Sequence, residues 1–391
     1  MRKEKTTSSA VVINKDGLDL LIKSLRRAGH DVIGPTAPDG AVVYEPIDSI
    51  GDLPVGLEDD QDGGHYRLKA ATGGKGAKEP LFRYVVGPHS WKRYLFPPSQ
   101  KLWSAEKKDG GWTIDAEQGD PAKQAFIGVR PCELAAMRIQ DRVFSGDHYK
   151  DRGYAARRDA TLVVAVNCTR AGGTCFCTSM DTGPVASDGY DLALTEISDG
   201  KDHRFVVDVG SKRGAKALSK ALSKLPQRDA TAGDRRAANS RTNAAAKSMG
   251  RTMSKNAAKV LRDNPDHPQW TDVAERCLNC ANCTMVCPTC FCSNVVDVTT
   301  LDGAGAERWR RWDSCFTVDF SYIHGGPIRR DAASRYRQWI THKLSSWHDQ
   351  FGSSGCTGCG RCITWCPVGI DITAEARAIG ARRKTAPKGE R

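Results

Sequence analysis

Cys277-Leu278-Asn279-Cys280-Ala281-Asn282-Cys283-Thr284-Met285-Val286-Cys287-Pro288 decides how this 391-residue chain is read, because its C-x2-C-x2-C-x3-C-P spacing returns at Cys356, Cys359, Cys362, Cys366 and Pro367. Three thiolates spaced two residues apart on a compact turn can wrap three irons of a [4Fe–4S] cube. In two-cluster proteins the fourth thiolate, three residues further on, reaches the other cube. One cluster is therefore expected on Cys277, Cys280, Cys283 and Cys366, and the other on Cys356, Cys359, Cys362 and Cys287. A zinc site takes its four ligands as two pairs. Here each run packs four cysteines into eleven residues, so zinc would leave ligands over twice. A disulfide framework belongs to short secreted chains, and the N-terminus Met1–Ser9 is charged and then polar, with no signal-peptide pattern.

Seven of the fifteen cysteines fall outside the runs. Thr174-Cys175-Phe176-Cys177 and Thr289-Cys290-Phe291-Cys292 echo each other, and Cys168 lies seven residues before Cys175. With Cys132, the set Cys168, Cys175 and Cys177 would supply four thiolates for a third metal centre. Free cysteine is also a common small buried hydrophobe, so that reading stays open. Cys290, Cys292 and Cys315 have no role assignable from spacing.

The length suits two or three domains. No apolar run approaches a membrane span, and thiolate ligands suit a reducing, cytoplasmic compartment. The net charge of +12 resembles a nucleic-acid signal until it is located: residues 211–262 hold fourteen Lys or Arg against two Asp or Glu, which is the whole imbalance. Ala215–Leu225 and Asn243–Leu261 read there as helices either side of a turn at Gly233-Asp234, with little apolar face to bury. A solvated inter-domain segment is expected.

Ahead of it the chain alternates strand and helix, which favours a mixed or parallel sheet. Asp16–Arg27 has helical periodicity through Leu18, Leu21, Ile22 and Leu25, and Ala41–Tyr44, Ala125–Val129 and Thr161–Val166 read as strands, with Pro131–Phe144 as a helix. Gly73-Gly74-Lys75-Gly76 lacks the spacing of a phosphate-binding loop. After the basic segment, His267–Trp270 marks a boundary, Thr271–Arg276 is expected to deliver the first cysteine run as a helix, and Ile328–Trp347 sets Tyr336, Ile340, Leu344 and Trp347 on one helical face. Trp309, Trp312, Trp339 and Trp365 are expected to keep the clusters dry. The fold expected is an α/β or α+β domain (1–210), a basic helical linker (211–265) and a mostly helical dicluster ferredoxin-like domain (266–391).

Val86-Gly87-Pro88-His89-Ser90-Trp91-Lys92-Arg93-Tyr94-Leu95-Phe96-Pro97-Pro98, Gly128-Val129-Arg130-Pro131-Cys132-Glu133-Leu134, Cys175-Phe176-Cys177, the run from Cys277 to Cys292 and Trp312-Asp313-Ser314-Cys315 together resemble the beta subunit of cytoplasmic NAD(P)-linked [NiFe] sulfhydrogenases. They also resemble the related A subunit of anaerobic sulfite reductase. The resemblance implies a non-catalytic subunit with two [4Fe–4S] clusters, placed between a flavin subunit that handles NAD(P)H and the [NiFe]-hydrogenase small and large subunits. The alternatives are the same role in a sulfite reductase or similar redox complex, and a zinc-dependent nucleic-acid-binding module resting on the basic segment. The residues themselves offer no nucleophile–base pair and no dinucleotide fingerprint, so catalysis is expected in a partner.

Overall fold

The computed structural model describes residues 10–71, 79–116, 121–146, 149–199, 202–223 and 228–381; Gly73–Gly76 and the first nine residues lie outside them. Thr161–Val166, buried at every position, sits within an eight-stranded sheet. Its order is Arg228–Asp229, Val11–Asn14, Asp202–Val209, Leu192–Asp199, Thr161–Val166, Gln124–Val129, Asp31–Thr36 and Val43–Pro46. The four strands from Leu192–Asp199 to Asp31–Thr36 are parallel, and the outer pairings are antiparallel. A near-continuous apolar run is what a strand covered on both faces requires. Accordingly Leu162, Val164 and Val166 join one core with helix Lys15–Arg27, while Val163 and Ala165 face Leu134 and Met137 of helix Pro131–Phe144 in another.

The basic segment differs from its expectation. Gly233-Asp234 is the opening turn of helix Ala232–Lys247, not a turn between helices. The Thr231 hydroxyl accepts from the Asp234 amide at 3.2 Å, and the Asp234 carboxylate accepts from the Thr231 amide at 3.0 Å. The segment is also packed. Leu218, Ala221 and Leu222 of helix Lys212–Leu222 enter the first core, Ala238 lies with Val12, Ile197 and Val206, and Met253, Ala257 and Leu261 join the core of the cysteine-run half. Rows of alanine let backbones approach closely at no side-chain entropy cost, so a sparse apolar face suffices. Several of its arginines are held by carboxylates, among them Arg213 on Asp191 at 2.9 Å and Arg251 on Asp371 at 2.5 Å.

The C-terminal half contains helices Gln269–Arg276, Ala332–Thr341 and Ile372–Gly380, and Tyr336, Ile340, Leu344 and Trp347 are buried as the periodicity required. It is less helical than expected. Ser293–Thr299 and Gly305–Trp312 form a hairpin, and Gly305–Trp312 pairs antiparallel with Ser99–Lys108, which pairs with Gly111–Asp115 to make a four-stranded sheet. Arginines 308, 310 and 311 mask the strand pattern in the sequence. Two of them are neutralised locally, Arg308 by Asp297 at 2.6 Å and Arg310 by Asp151. The hairpin thereby ties the cysteine-run half to residues 99–115.

Candidate metal centres

Both cysteine runs fold the same way. Asn279 and Ala281 in the first have φ of +51° and +64°, and Gly358 and Gly360 at the matching places in the second have +65° and +79°. These left-handed positions curl the chain so that each run's thiols turn inward. The Asn279 amide donates to Cys277 Sγ at 3.5 Å and the Gly358 amide to Cys356 Sγ at 3.4 Å. A short helix then follows each run, Asn282–Met285 and Arg361–Thr364.

Around the first run, Cys277, Cys280 and Cys283 line a void of about 430 Å³ together with Cys366 from the second run, and Cys362 stands in its wall. Phe316, Tyr336, Trp339 and Ile370 close it. Cys280 is exposed and Leu278 beside it is 63% exposed, so this void lies against the surface. Four thiols about a dry apolar hollow fit an iron–sulfur cube. Among the described residues no three thiol, imidazole or carboxylate groups close tightly enough to hold one metal ion, whereas a zinc site needs Zn–S of about 2.3 Å from every ligand.

The second run is buried in the middle of the molecule. Burial, and then the nearby thiolates of Cys356, Cys359, Cys287 and Cys283, push the Cys362 thiol up; Cys287 is thus brought to the second run. Lys343 sits here in a π-helical turn, His342–Ser346, a local distortion often found at functional sites. Its Nζ lies 3.3 Å from Cys287 Sγ and donates to Thr289 Oγ1 at 3.0 Å and to the Gly355 carbonyl at 3.3 Å. Burial alone would disfavour its charge, but the thiolates of Cys287, Cys290 and Cys356 outweigh that and hold its pKa well above the usual lysine value.

Cys132, Cys168, Cys175 and Cys177, grouped from the sequence, line a further void of about 350 Å³, and Cys359 of the second run forms part of its wall. Cys290, Cys292 and Cys315 line a larger hollow of about 930 Å³ that also contains Arg329, His342 and Lys343. There a hydrogen bond from Cys315 draws the Cys292 thiol down to about 7. Of the tryptophans, Trp339 walls the first void, Trp365 lies against Tyr66 with ring centres 5.1 Å apart, and Trp312 Nε1 donates to the Phe96 carbonyl at 3.0 Å.

Sequence reasoning missed how the two halves are joined. Arg361, inside the second run, is fully buried. Its Nη2 pairs with Glu133 at 2.6 Å and donates to the His89 carbonyl at 2.8 Å, and its Nε donates to the Gly87 carbonyl at 2.9 Å. Glu133 also accepts from Tyr44 Oη at 2.7 Å and Trp91 Nε1 at 3.1 Å. Gly87-Pro88-His89-Ser90-Trp91 and Arg130-Pro131-Cys132-Glu133, prominent in the sequence and, Cys132 apart, without an assigned role, thus form the dock for this arginine. The only signal was a guanidinium between two cysteines; its partner is 228 positions away.

A family model described as a 4Fe-4S dicluster domain matches residues 276–370, the interval from the first run to just beyond the second. Sulfhydrogenase 2 subunit beta of Pyrococcus furiosus is 31% identical over 285 residues, which cover 72% of this chain and 79% of that protein.

Proposed function

This chain belongs to the family of sulfhydrogenase beta subunits, and on that footing we propose that it carries electrons through two [4Fe–4S] clusters within a hetero-oligomeric hydrogenase complex. The partners in this reading are a flavin subunit that handles NAD(P)H and the [NiFe] small and large subunits. The observation that carries it is adjacency: Cys362 belongs to the second run yet stands in the wall of the first void, so the two thiol sets adjoin through a shared element. When bound, each cube takes up and gives back one electron.

The protein's part is to position and insulate. Cys277, Cys280, Cys283 and Cys366 hold the site nearest the surface, where exposed Cys280 and Leu278 offer a partner a short path. Cys356, Cys359, Cys362 and Cys287 hold the inner site. Trp339, Tyr336 and Phe316 keep water from the outer site, and Lys343 holds positive charge beside Cys287, which favours the more negative, reduced state. No helix among the described residues is long and apolar enough to cross a membrane.

The test is made in the assembled complex. Cys280→Ala and Cys359→Ala should each interrupt NAD(P)H-linked hydrogen turnover, while hydrogen oxidation with an artificial acceptor that docks on the catalytic subunits survives. Wild-type NAD(P)H-linked rates in both variants would refute the conduit.

A further inference from the structure

We propose that Cys132, Cys168, Cys175 and Cys177 hold a third iron–sulfur cluster, built into the α/β half of the chain and next in line after the inner ferredoxin-type site. The four thiols come from three separate pieces of chain. Cys132 is in the first turn of helix Pro131–Phe144, Cys168 follows strand Thr161–Val166, and Cys175 and Cys177 sit at the start of the helical turn Cys177–Met180. They line one hollow whose free space, about 350 Å³ counting what opens to solvent, is comparable with the about 430 Å³ at the first run. All four thiols are free.

Glycine backbone is pressed against two of these thiols, where a side chain would crowd them. A Cβ on Gly183 would come within 3.0 Å of Cys177 Sγ, and one on Gly172 within 3.5 Å of Cys175 Sγ and 2.7 Å of Val85.

Charge points the same way. Two guanidiniums, Arg130 and Arg170, line the void. Arg170 is held by Asp59 at 2.9 Å. Arg130 is 3% exposed and donates to carbonyl oxygens, those of Phe82 at 2.9 Å, Tyr84 at 2.5 Å and Asn167 at 3.5 Å. The buried Glu196 carboxylate acts on Arg130 only at longer range, so an anion in the void would complete its pairing. Four neutral thiols do not supply one; a cube ligated by four thiolates does. A single zinc ion fits less well, because no three candidate ligands among the described residues converge on one point.

Position gives the cluster its use, and that part rests on the conduit reading above. Cys359, assigned to the inner site, forms part of this void's wall. Gly358 beside it is pressed on the Cys177 backbone, so that a Cβ there would lie 2.7 Å from Cys177 Cα, and the Phe176 amide donates to the Gly358 carbonyl at 2.9 Å. The three thiol sets therefore form a row from Cys280 at the surface, through the middle, into the α/β half. One electron passing along it oxidises the inner cluster by one and reduces the third by one, with no bond made or broken and no proton moved.

The full-length chain, purified anaerobically, decides it by iron and acid-labile sulfide analysis and by electron paramagnetic resonance after reduction. About 12 iron atoms per chain are expected, falling to about 8 in Cys132→Ser/Cys175→Ser with the signals of the other two clusters retained. A wild-type count near 8 overturns the third cluster and leaves the two-cluster reading standing, as does one zinc beside 8 irons. A count near 4 overturns both. A count near 12 that the variant leaves unchanged places the extra iron elsewhere and also refutes the proposal. Should the variant not accumulate as folded protein, spin integration of the wild type decides, with about three reducible centres expected and two contradicting.

Discussion

The two cysteine runs have one spacing and one backbone shape, yet they sit in opposite surroundings. Matching positions make the contrast plain. Where the first run has Ala281 and Asn282, the second has Gly360 and Arg361. Asn282 is at the surface and donates to the Trp365 carbonyl at 3.3 Å; Arg361 is buried on Glu133. Ligand spacing fixes how a run wraps its metal, and the residues between the ligands fix where the run is seated. The outer run is left at the surface, and the inner one is bolted to the α/β half.

The largest expected difference follows from that bolt. Glu133→Ala strands the Arg361 charge in the interior, and breaking a buried pair from one side costs about 3–5 kcal/mol. Asn282→Ala removes one exposed hydrogen bond, worth about 1 kcal/mol or less. Denaturant unfolding of the cluster-loaded chain measures both, and equal losses would end the contrast.

Next come paired exchanges of opposite sign. A Cβ on Gly360 would fall 2.4 Å from Thr174 Oγ1 and 2.5 Å from the Thr174 carbonyl oxygen, at φ +79°. Gly360→Ala therefore meets both a left-handed penalty of about 1–2 kcal/mol and an overpacking penalty of about 1–3 kcal/mol. Ala281→Gly, in the same conformation without that wall, should stabilise by about 0.5–1 kcal/mol after the entropy cost of glycine. Thermal unfolding of the two variants gives the signs; a stabilising Gly360→Ala would contradict the seating described.

How much of this the sequence disclosed depends on the range of the interaction. The two runs were legible because their cysteines lie close together in sequence, and Cys168, Cys175 and Cys177 could be grouped for the same reason, with Cys132 added from the neighbouring helix. A near-continuous apolar run gave the strand Thr161–Val166, and helical periodicity gave the helix Pro131–Phe144, each to the residue. What failed was non-local. The hairpin of Ser293–Thr299 and Gly305–Trp312 is hidden by arginines whose carboxylate partners, Asp297 across the hairpin and Asp151, are not adjacent to them in sequence, and its pairing with Ser99–Lys108 spans some two hundred residues. The basic segment looked solvated because alanine carries little hydrophobic signal, though it packs well against a sheet. Lys343 gave no sign at all, since a lysine on an amphipathic helix reads as solvent-facing.

Lys343 sharpens the comparison electrically. It touches Cys287 at 3.3 Å and so bears on the inner site. Removing a buried cation at such range is worth a few kcal/mol, and since about 59 mV corresponds to a factor of ten for one electron, Lys343→Gln should lower the potential of the inner cluster by about 100 mV. The outer cluster should shift by much less. A potentiometric titration that moved both equally would show that the two sites do not differ as their surroundings imply.

The most direct measurement concerns the proposed exchange of the fourth ligand, which would join the two runs into one conductor. In the reduced full-length chain, the outer cluster is recognised by the broadening that a soluble paramagnet causes in its resonance signal. Cys366→Ser should alter that solvent-facing signal and spare the other, and Cys287→Ser should do the reverse, in keeping with Cys366 lying in the void of Cys277, Cys280 and Cys283. If Cys287→Ser instead perturbs the solvent-facing signal, each run keeps its own four ligands, and the interlocked arrangement is contradicted.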